Sequence, residues 1–369
     1  MSADKNLNAE SLDKREKNSD GRRAKFDYNN AETLLTVSNL KQYFKLQGRD
    51  LKAVDDISFD VKRGEVFGIV GESGSGKTTT GRSIVGIYDI TGGDVVLGGK
   101  LINTGILERK AQIRNRMKAN DTEGAKKLKE ELKQAQEDIR NNRDFLHKKI
   151  QMIFQDPISS LDPRMTVREI ISEGLIIQGE KNKALINGKV DNVLNEVGLL
   201  VEHADRYPHE FSGGQRQRIG IARAIVMDPD MIIADEPVSA LDVSVQAQVI
   251  NLLNDLREEM NLTVIFIAHD LAVVKYISDR IAVMYNGKIV EFAESDELFA
   301  RPMHPYTRSL LSAIPIPDPN VERVRKRINY VPALEHDYAV EGPKMNEAYE
   351  NHFVYCNSAE LEKYKALYD

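Results

Sequence analysis

Val66-Phe67-Gly68-Ile69-Val70-Gly71-Glu72-Ser73-Gly74-Ser75-Gly76-Lys77-Thr78 settles the architecture of this chain. The first five residues form an apolar run of buried-strand length. The next eight fit the G-x-x-x-x-G-K-[ST] pattern in its required context, after a strand and at the opening of a helix. Glycines there let successive backbone N–H groups curl around phosphate oxygens without Cβ clashes, and the helix N-terminus adds favourable potential for an anion. Gly71, Glu72, Ser73, Gly74, Ser75 and Gly76 are therefore read as a phosphate cradle. Lys77 bridges the β- and γ-phosphates, the Thr78 hydroxyl faces Mg²⁺, and Thr79 completes the nucleotide-contacting run. The helix is expected to begin near Lys77 and to run towards Tyr88.

Further along, short apolar runs end in polar residues suited to phosphate chemistry. Met231–Ala234 leads into Asp235 and Glu236. A carboxylate at the end of a buried strand holds the Mg²⁺ shell, usually through water, and its neighbour Glu236 is placed to polarise an attacking water. Thr263–Ala268 leads into His269, at the strand end where parallel sheets bind ligands. Ile150–Phe154 leads into Gln155, whose neutral amide can approach Mg²⁺ or the attacking water and withdraw without a charge penalty. Phe211 is followed by Ser212-Gly213-Gly214-Gln215, small residues at a helix start that leave backbone N–H groups and a hydroxyl for an anion. The chain already has one phosphate cradle, so this second anion-seeking helix end calls for another explanation.

The remainder supplies the frame. Leu34–Val37 and Ile57–Val61 alternate as strands before the Arg63-Gly64 turn. Within residues 104–147, Leu128, Leu132, Ala135 and Ile139 recur on one helical face, and Ile106, Ile113 and Met117 form a shorter stripe. Asn120-Asp121-Thr122 between them is a polar break. Either it separates the two arms of a helical hairpin, or the segment is a single solvated helix laced with i,i+4 ion pairs. Val167–Gly198 reads as several helices, Ser212 as the cap of a helix reaching about Met227, and Val243–Met260 as a further helix. Ile281–Tyr285 and Lys288–Phe292 flank Asn286-Gly287, the favoured two-residue hairpin turn. Residues from about Ser295 onward are Pro-punctuated and are expected to be irregular, while residues 1–33 are polar and expected to be a mobile tail.

Composition narrows the class. A chain of 369 residues with 41% hydrophobic and 29% charged content suits a globular protein of one large domain with appendages, or two domains. Its net charge of −6 gives no basic field for nucleic acid. The single cysteine, Cys356, rules out an intramolecular disulfide and suits a reducing compartment. Met1 to Asp27 lacks the apolar core of a signal peptide, and no apolar run approaches the roughly 18–20 residues that span a bilayer. Membrane association would have to pass through a partner.

Taken in order, the phosphate loop, Gln155, Ser212-Gly213-Gly214-Gln215, Asp235-Glu236, the Ser239-Ala240-Leu241-Asp242 turn and His269 resemble the ATP-binding cassette (ABC) family over roughly residues 34–295. The resemblance implies an α/β P-loop NTPase fold of ABC type: a RecA-like parallel-sheet core, an antiparallel β subdomain and a helical signature subdomain. It further implies a head-to-tail dimer holding ATP between one subunit's phosphate loop and the other's signature. Carried over, Lys77 and Thr78 hold phosphate and Mg²⁺, Asp235 the Mg²⁺ shell, Glu236 is the general base, and His269 the switch histidine. Gln155 couples the site to a membrane partner, and Asp242 communicates across the dimer. Phe44, 33 residues before Lys77, best matches the adenine-stacking aromatic, with Tyr43 as runner-up and strand packing as the alternative for either.

The C-terminal stretch His304-Pro305-Tyr306-Thr307, with Leu310–Pro319, resembles the tail of oligopeptide/dipeptide importer ATPases. Three regions are then expected: the tail 1–33, a nucleotide-binding domain 34–300 carrying the 104–147 insertion, and a C-terminal extension 301–369. Many relatives end in a cysteine-rich segment; with Cys356 alone, no iron–sulfur cluster is expected. The implied partners are a second, different ATPase subunit, two transmembrane permeases and an extracytoplasmic peptide-binding protein, with the chain peripheral on the cytoplasmic face of the cell membrane. The competing readings are a soluble ABC-type ATPase acting on DNA or ribosomes, and a cassette for another transport substrate. One cassette per chain, a short insertion and an acidic balance count against the first.

Overall fold

The computed structural model describes residues 26–28, 30–46, 48–314 and 327–368. The expected tail lies, up to residue 25, outside them. Nearer the core, the ring of Tyr28 sits 5.0 Å from the Arg280 guanidinium.

Among the described residues the strands form two sheets. The smaller pairs β1 (Thr33–Leu46) with β2 (Arg49–Lys62), and continues through β4 (Gly92–Leu97) to β5 (Lys100–Thr104), all antiparallel. The larger sheet contains β3 (Val66–Val70), β6 (Ile150–Ile153), β7 (Met231–Asp235), β8 (Thr263–Ala268), β9 (Arg280–Tyr285) and β10 (Lys288–Glu294), with β11 (Lys344–Tyr349) and β12 (His352–Cys356). Its order is β11-β12-β10-β9-β3-β8-β7-β6. The span from β9 to β6 is parallel, and the three strands beyond β9 are antiparallel.

The parallel strands read as continuous apolar runs because they are buried on both faces. Alternation decides which core each side chain joins. Val66 and Val70 of β3, Ile232 and Ala234 of β7, and Val264 and Phe266 of β8 enter the core shared with the helices after β6. Phe67 and Ile69, Met231 and Ile233, and Ile265 and Ile267 enter the core shared with the antiparallel sheet. The C-terminal ends of β3, β6, β7 and β8 consequently line up along one edge of the sheet.

The helix after the phosphate loop, α1 (Lys77–Ile84), stops short of Tyr88. Gly86 takes a left-handed φ of 76°, and the amides of Gly86 and Ile87 bond back to Ser83 and Arg82 at 3.3 and 2.9 Å. That pair of bonds is a Schellman stop. The 104–147 segment forms two helices and part of a third: α2 (Ile106–Lys118), α3 (Thr122–Asn141) and α4 (Arg143–Lys149). Asp121 caps α3, its Oδ1 accepting from Gly124 N at 2.9 Å. Ala125, Leu132 and Ala135 are buried, so the stripe on α3 faces inward and the hairpin alternative is the one found.

Four helices follow: α5 (Val167–Ile177), α6 (Lys183–Glu196), α7 (Gly213–Ile225) and α8 (Val243–Met260). The β9–β10 turn has Asn286 and Gly287 at φ 46° and 78°, the left-handed pair of a type I′ hairpin.

The expectation of an irregular C-terminus is wrong. After α9 (Leu271–Ile277) and the strands β9 and β10 come α10 (Ser295–Ala300) and α11 (Pro305–Ser312). The β11–β12 hairpin then adds to the main sheet, with Glu291 opposite Val354 and Phe292 opposite Phe353, and the chain ends on the helix Ser358–Lys365. Fully buried Glu291 anchors this region. Its Oε1 accepts from Met303 N at 2.7 Å and lies 2.8 Å from His352 Nε2, while Oε2 accepts from His304 N at 2.8 Å.

Candidate functional site

Glu72 to Gly74 and Gly76 to Thr79 line a cleft of about 990 Å³ at the strand ends, and Gly71 and Ser75 lie behind them. Backbone contacts fix the loop from outside. Gly287 N donates to Ser75 O at 2.9 Å, and Gly287 O accepts from Asp55 N at 2.8 Å, so the β9–β10 turn staples the loop to β2. Gly76 has φ 105°, and a Cβ there would lie 2.3 Å from Ala53 O, so only glycine lets the loop pass this close to β2.

The Lys77 ammonium is buried and turned back onto its own loop, donating to Gly71 O at 2.8 Å and Glu72 O at 2.9 Å. Burial lowers its pKa, opposed by Glu236 and Asp235. It is a cation held by neutral carbonyls, ready for exchange onto an anionic ligand. Thr78 Oγ1 donates to Asp235 Oδ1 at 2.7 Å. Burial raises the Asp235 pKa, and the Thr78 hydrogen bond works against that shift.

Two buried polar atoms here, Ser75 Oγ and Asp235 Oδ2, have no hydrogen-bond partner among the described residues. Such orphans are costly unless something completes them. A phosphate oxygen suits the first. A hydrated divalent cation beside Thr78 suits the second, and the all-oxygen donor set fits Mg²⁺.

Glu236 takes a left-handed φ of 45°, uncommon for a residue with a side chain and a form of strain that clusters at functional sites. Its amide stays tied to the sheet through Ile267 O at 2.9 Å, and its carbonyl accepts from Ser239 Oγ at 3.1 Å. The carboxylate is held by groups from two other strand ends and the loop. Gln155 Nε2 donates to Oε2 at 3.0 Å, His269 Nδ1 lies 3.2 Å from the same oxygen, and Lys77 Nζ is 4.0 Å from Oε1. Gln155, Glu236 and His269, spread over more than a hundred residues, therefore meet at one rim of the cleft.

Phe44 also lines the cleft, with Leu51, Lys52 and Ala53, and is set edge-on to Tyr88 at 5.3 Å between ring centroids. Tyr43 is not among the lining residues. Its hydroxyl is bonded to Asp55, and burial followed by that bond raises its pKa. Leu51 reaches the site because it is the register partner of Phe44 across β1 and β2, which no local motif announced.

Ser212, Gly213, Gly214, Gln215 and Asp242 are absent from the cleft lining. Ser212 and Gln215 form a capping box at the start of α7: Gln215 N donates to Ser212 Oγ at 3.4 Å, and Ser212 N to Gln215 Oε1 at 3.0 Å. A Cβ on Gly214 would come 2.5 Å from Val245 Cγ1, so the glycine lets α7 approach the first turn of α8. Asp242 is the exposed N-cap residue of α8, with no side-chain bond to that helix. The two helix starts lie outside the cleft, so one chain gathers only part of the expected nucleotide contacts there and displays the rest elsewhere.

Sequence reasoning missed Tyr306, whose phenol oxygen accepts from Glu72 N at 3.0 Å across 234 residues. Nothing in the stretch His304-Pro305-Tyr306-Thr307 itself points at the phosphate loop.

Known proteins resemble this chain over most of its length. The family described as ABC transporter matches residues 54–239, and the oligopeptide/dipeptide transporter C-terminal region matches residues 290–342. The oligopeptide transport ATP-binding protein OppF of Bacillus subtilis (strain 168) is 50% identical over 334 residues, covering 90% of this chain and 99% of that protein. The dipeptide transport ATP-binding protein DppF of Lactococcus lactis subsp. cremoris is 49% identical over 317 residues, covering 85% and 90%. Among solved structures, a dimeric post-hydrolysis ATP-binding cassette bound to ADP and phosphate is 25% identical with a TM-score of 0.56. The match covers 71% of this chain and 99% of that one.

Proposed function

We propose, from the premise that this chain belongs to the ABC transporter family, that it is the energy-coupling subunit of a peptide importer. It is an ATPase of that family. The peptide substrate is inferred from the names of its relatives and from the match over residues 290–342. The observation that carries the reading is the divided site: the cleft gathers the phosphate loop, Gln155, Glu236 and His269, while Ser212 to Gln215 cap a helix outside it. A second cassette facing this one would complete both sites.

In this reading Phe44 stacks on the adenine and the loop amides receive the phosphates. Lys77 leaves the carbonyls of Gly71 and Glu72 for the β- and γ-phosphates. Thr78 and Asp235 would hold Mg²⁺, which would supply positive charge against that developing on the phosphates. Glu236 accepts the proton of the attacking water, and His269 and Gln155 hold its carboxylate towards the γ-phosphate position. The partner's copy of the signature helix start, equivalent to Ser212 to Gln215 here, closes over the triphosphate, and Asp242 faces the partner. Closure is transmitted near Gln155 to two permeases, and the chain sits peripherally on the cytoplasmic face of the membrane. A different second cassette and an extracytoplasmic peptide-binding protein complete the assembly. No described helix is long and apolar enough to cross a membrane.

Ser212→Arg tests the division. The isolated chain should bind ATP with its ordinary Kd, while turnover in the assembled transporter is abolished. Equal loss of both would make the signature a local cap and sink the proposal.

A further inference from the structure

We propose that Tyr306 is a positioning residue for the phosphate loop, through which the C-terminal extension sets nucleotide affinity. This rests on reading residues 71–78 as the nucleotide loop. The Gly71–Glu72 peptide group is gripped on both sides: its N–H donates to the Tyr306 oxygen at 3.0 Å, and its carbonyl, Gly71 O, accepts from Lys77 Nζ at 2.8 Å. An arriving phosphate competes for the Lys77 ammonium and draws it off that carbonyl. The Tyr306 contact is then what keeps this peptide group in place while the cradle fills.

The grip has its own support. Tyr306 is 1% exposed, so its oxygen is aimed at the loop and away from solvent. Its ring packs on Tyr285 at 4.5 Å and on Tyr330 at 5.5 Å between centroids. Tyr285 directly precedes the Asn286-Gly287 turn whose amide holds Ser75 O, so one aromatic contact joins both external ties on the loop. Tyr330 continues outward: its hydroxyl lies 2.8 Å from His336 Nε2, and His336 Nδ1 lies 2.8 Å from Glu360 Oε1 on the last helix. The extension therefore reaches the Glu72 amide through an unbroken run of buried and half-buried contacts. A hydrogen bond made before the ligand arrives lowers the ordering cost of binding.

The experiment uses the full chain and Tyr306→Phe, which keeps the ring and removes the oxygen. Calorimetric Kd values for ATP and ADP should rise roughly 3- to 10-fold, the range for losing one neutral hydrogen bond. Hydrogen exchange at the Glu72 amide should accelerate. In the assembled transporter, KM for ATP should rise with little change in kcat, a split that general loosening of the fold would not give. Kd values within two-fold of the parent, or a fall in kcat at unchanged KM, would overturn the proposal. Lys77→Ala separates the two layers: retained tight ATP binding there would remove the loop reading itself, whatever Tyr306→Phe does.

Discussion

Glu236 owes its position to one unusual backbone angle. Its left-handed φ turns the chain at the end of β7, so that Asp235 stays with Thr78 while the next carboxylate faces Gln155 and His269. Glu236→Gln keeps the shape and removes the proton acceptor. ATP binding should persist while hydrolysis in the assembled transporter falls at least ~10²-fold, as expected for loss of a general base; turnover near the parent rate would remove Glu236 from that role. That Gln155, Glu236 and His269 meet was legible because each follows an apolar run, and strand ends are where an α/β sheet presents its ligands. That Tyr306, Gly287 and Ala53 touch the loop was not legible. They reach the loop through β-register and long-range packing, and no spacing in the sequence encodes that.

Elements show the same division. The 104–147 hairpin could be read because Asp121 is a cap and the stripe on α3 has helical period. The β11–β12 hairpin could not: its turn uses Asn351 at φ 58° without a following glycine, and one of its fully buried side chains is a histidine. Burial by itself would lower the pKa of His352, but its hydrogen bond and charge contact with Glu291, reinforced by Glu297, outweigh that and hold it above the ordinary value. A pKa raised in the folded state gives stability that is complete below the unfolded value of about 6.5 and is lost as pH rises through the folded value. Hydrogen-exchange protection of residues 344–356 should therefore weaken on that side of neutrality. His352→Gln should abolish the dependence, and His352→Ala, which leaves Glu291 buried without its cation, should cost about 3–5 kcal/mol. Flat protection in the parent across that range would refute the assignment.

For the whole molecule, the separation between cleft and signature predicts how activity depends on company. The purified chain alone should hydrolyse ATP far more slowly than the complex with its partner cassette and permeases. In Glu236→Gln, ATP should drive stable association with the partner cassette, read by sedimentation. Full-speed hydrolysis by a lone monomer would defeat the two-cassette reading. The fold class and the order of parts were legible at this scale because the phosphate loop, Asp235-Glu236 and His269 each mark a strand end. The continuity of the C-terminus with the main sheet was hidden, because it depends on β10 having an edge for β12 to join.

That continuity bears on how the polypeptide can be shortened. Met303, His304 and His352 all lie beyond residue 300, and they supply the contacts to Glu291 described above. A version trimmed at the apparent end of the cassette would strand an uncompensated carboxylate and bare a row of unpaired amides and carbonyls along β10. Exposed edges of that kind recruit strands from other molecules, so such fragments should precipitate or form filaments unless a substitute strand is supplied.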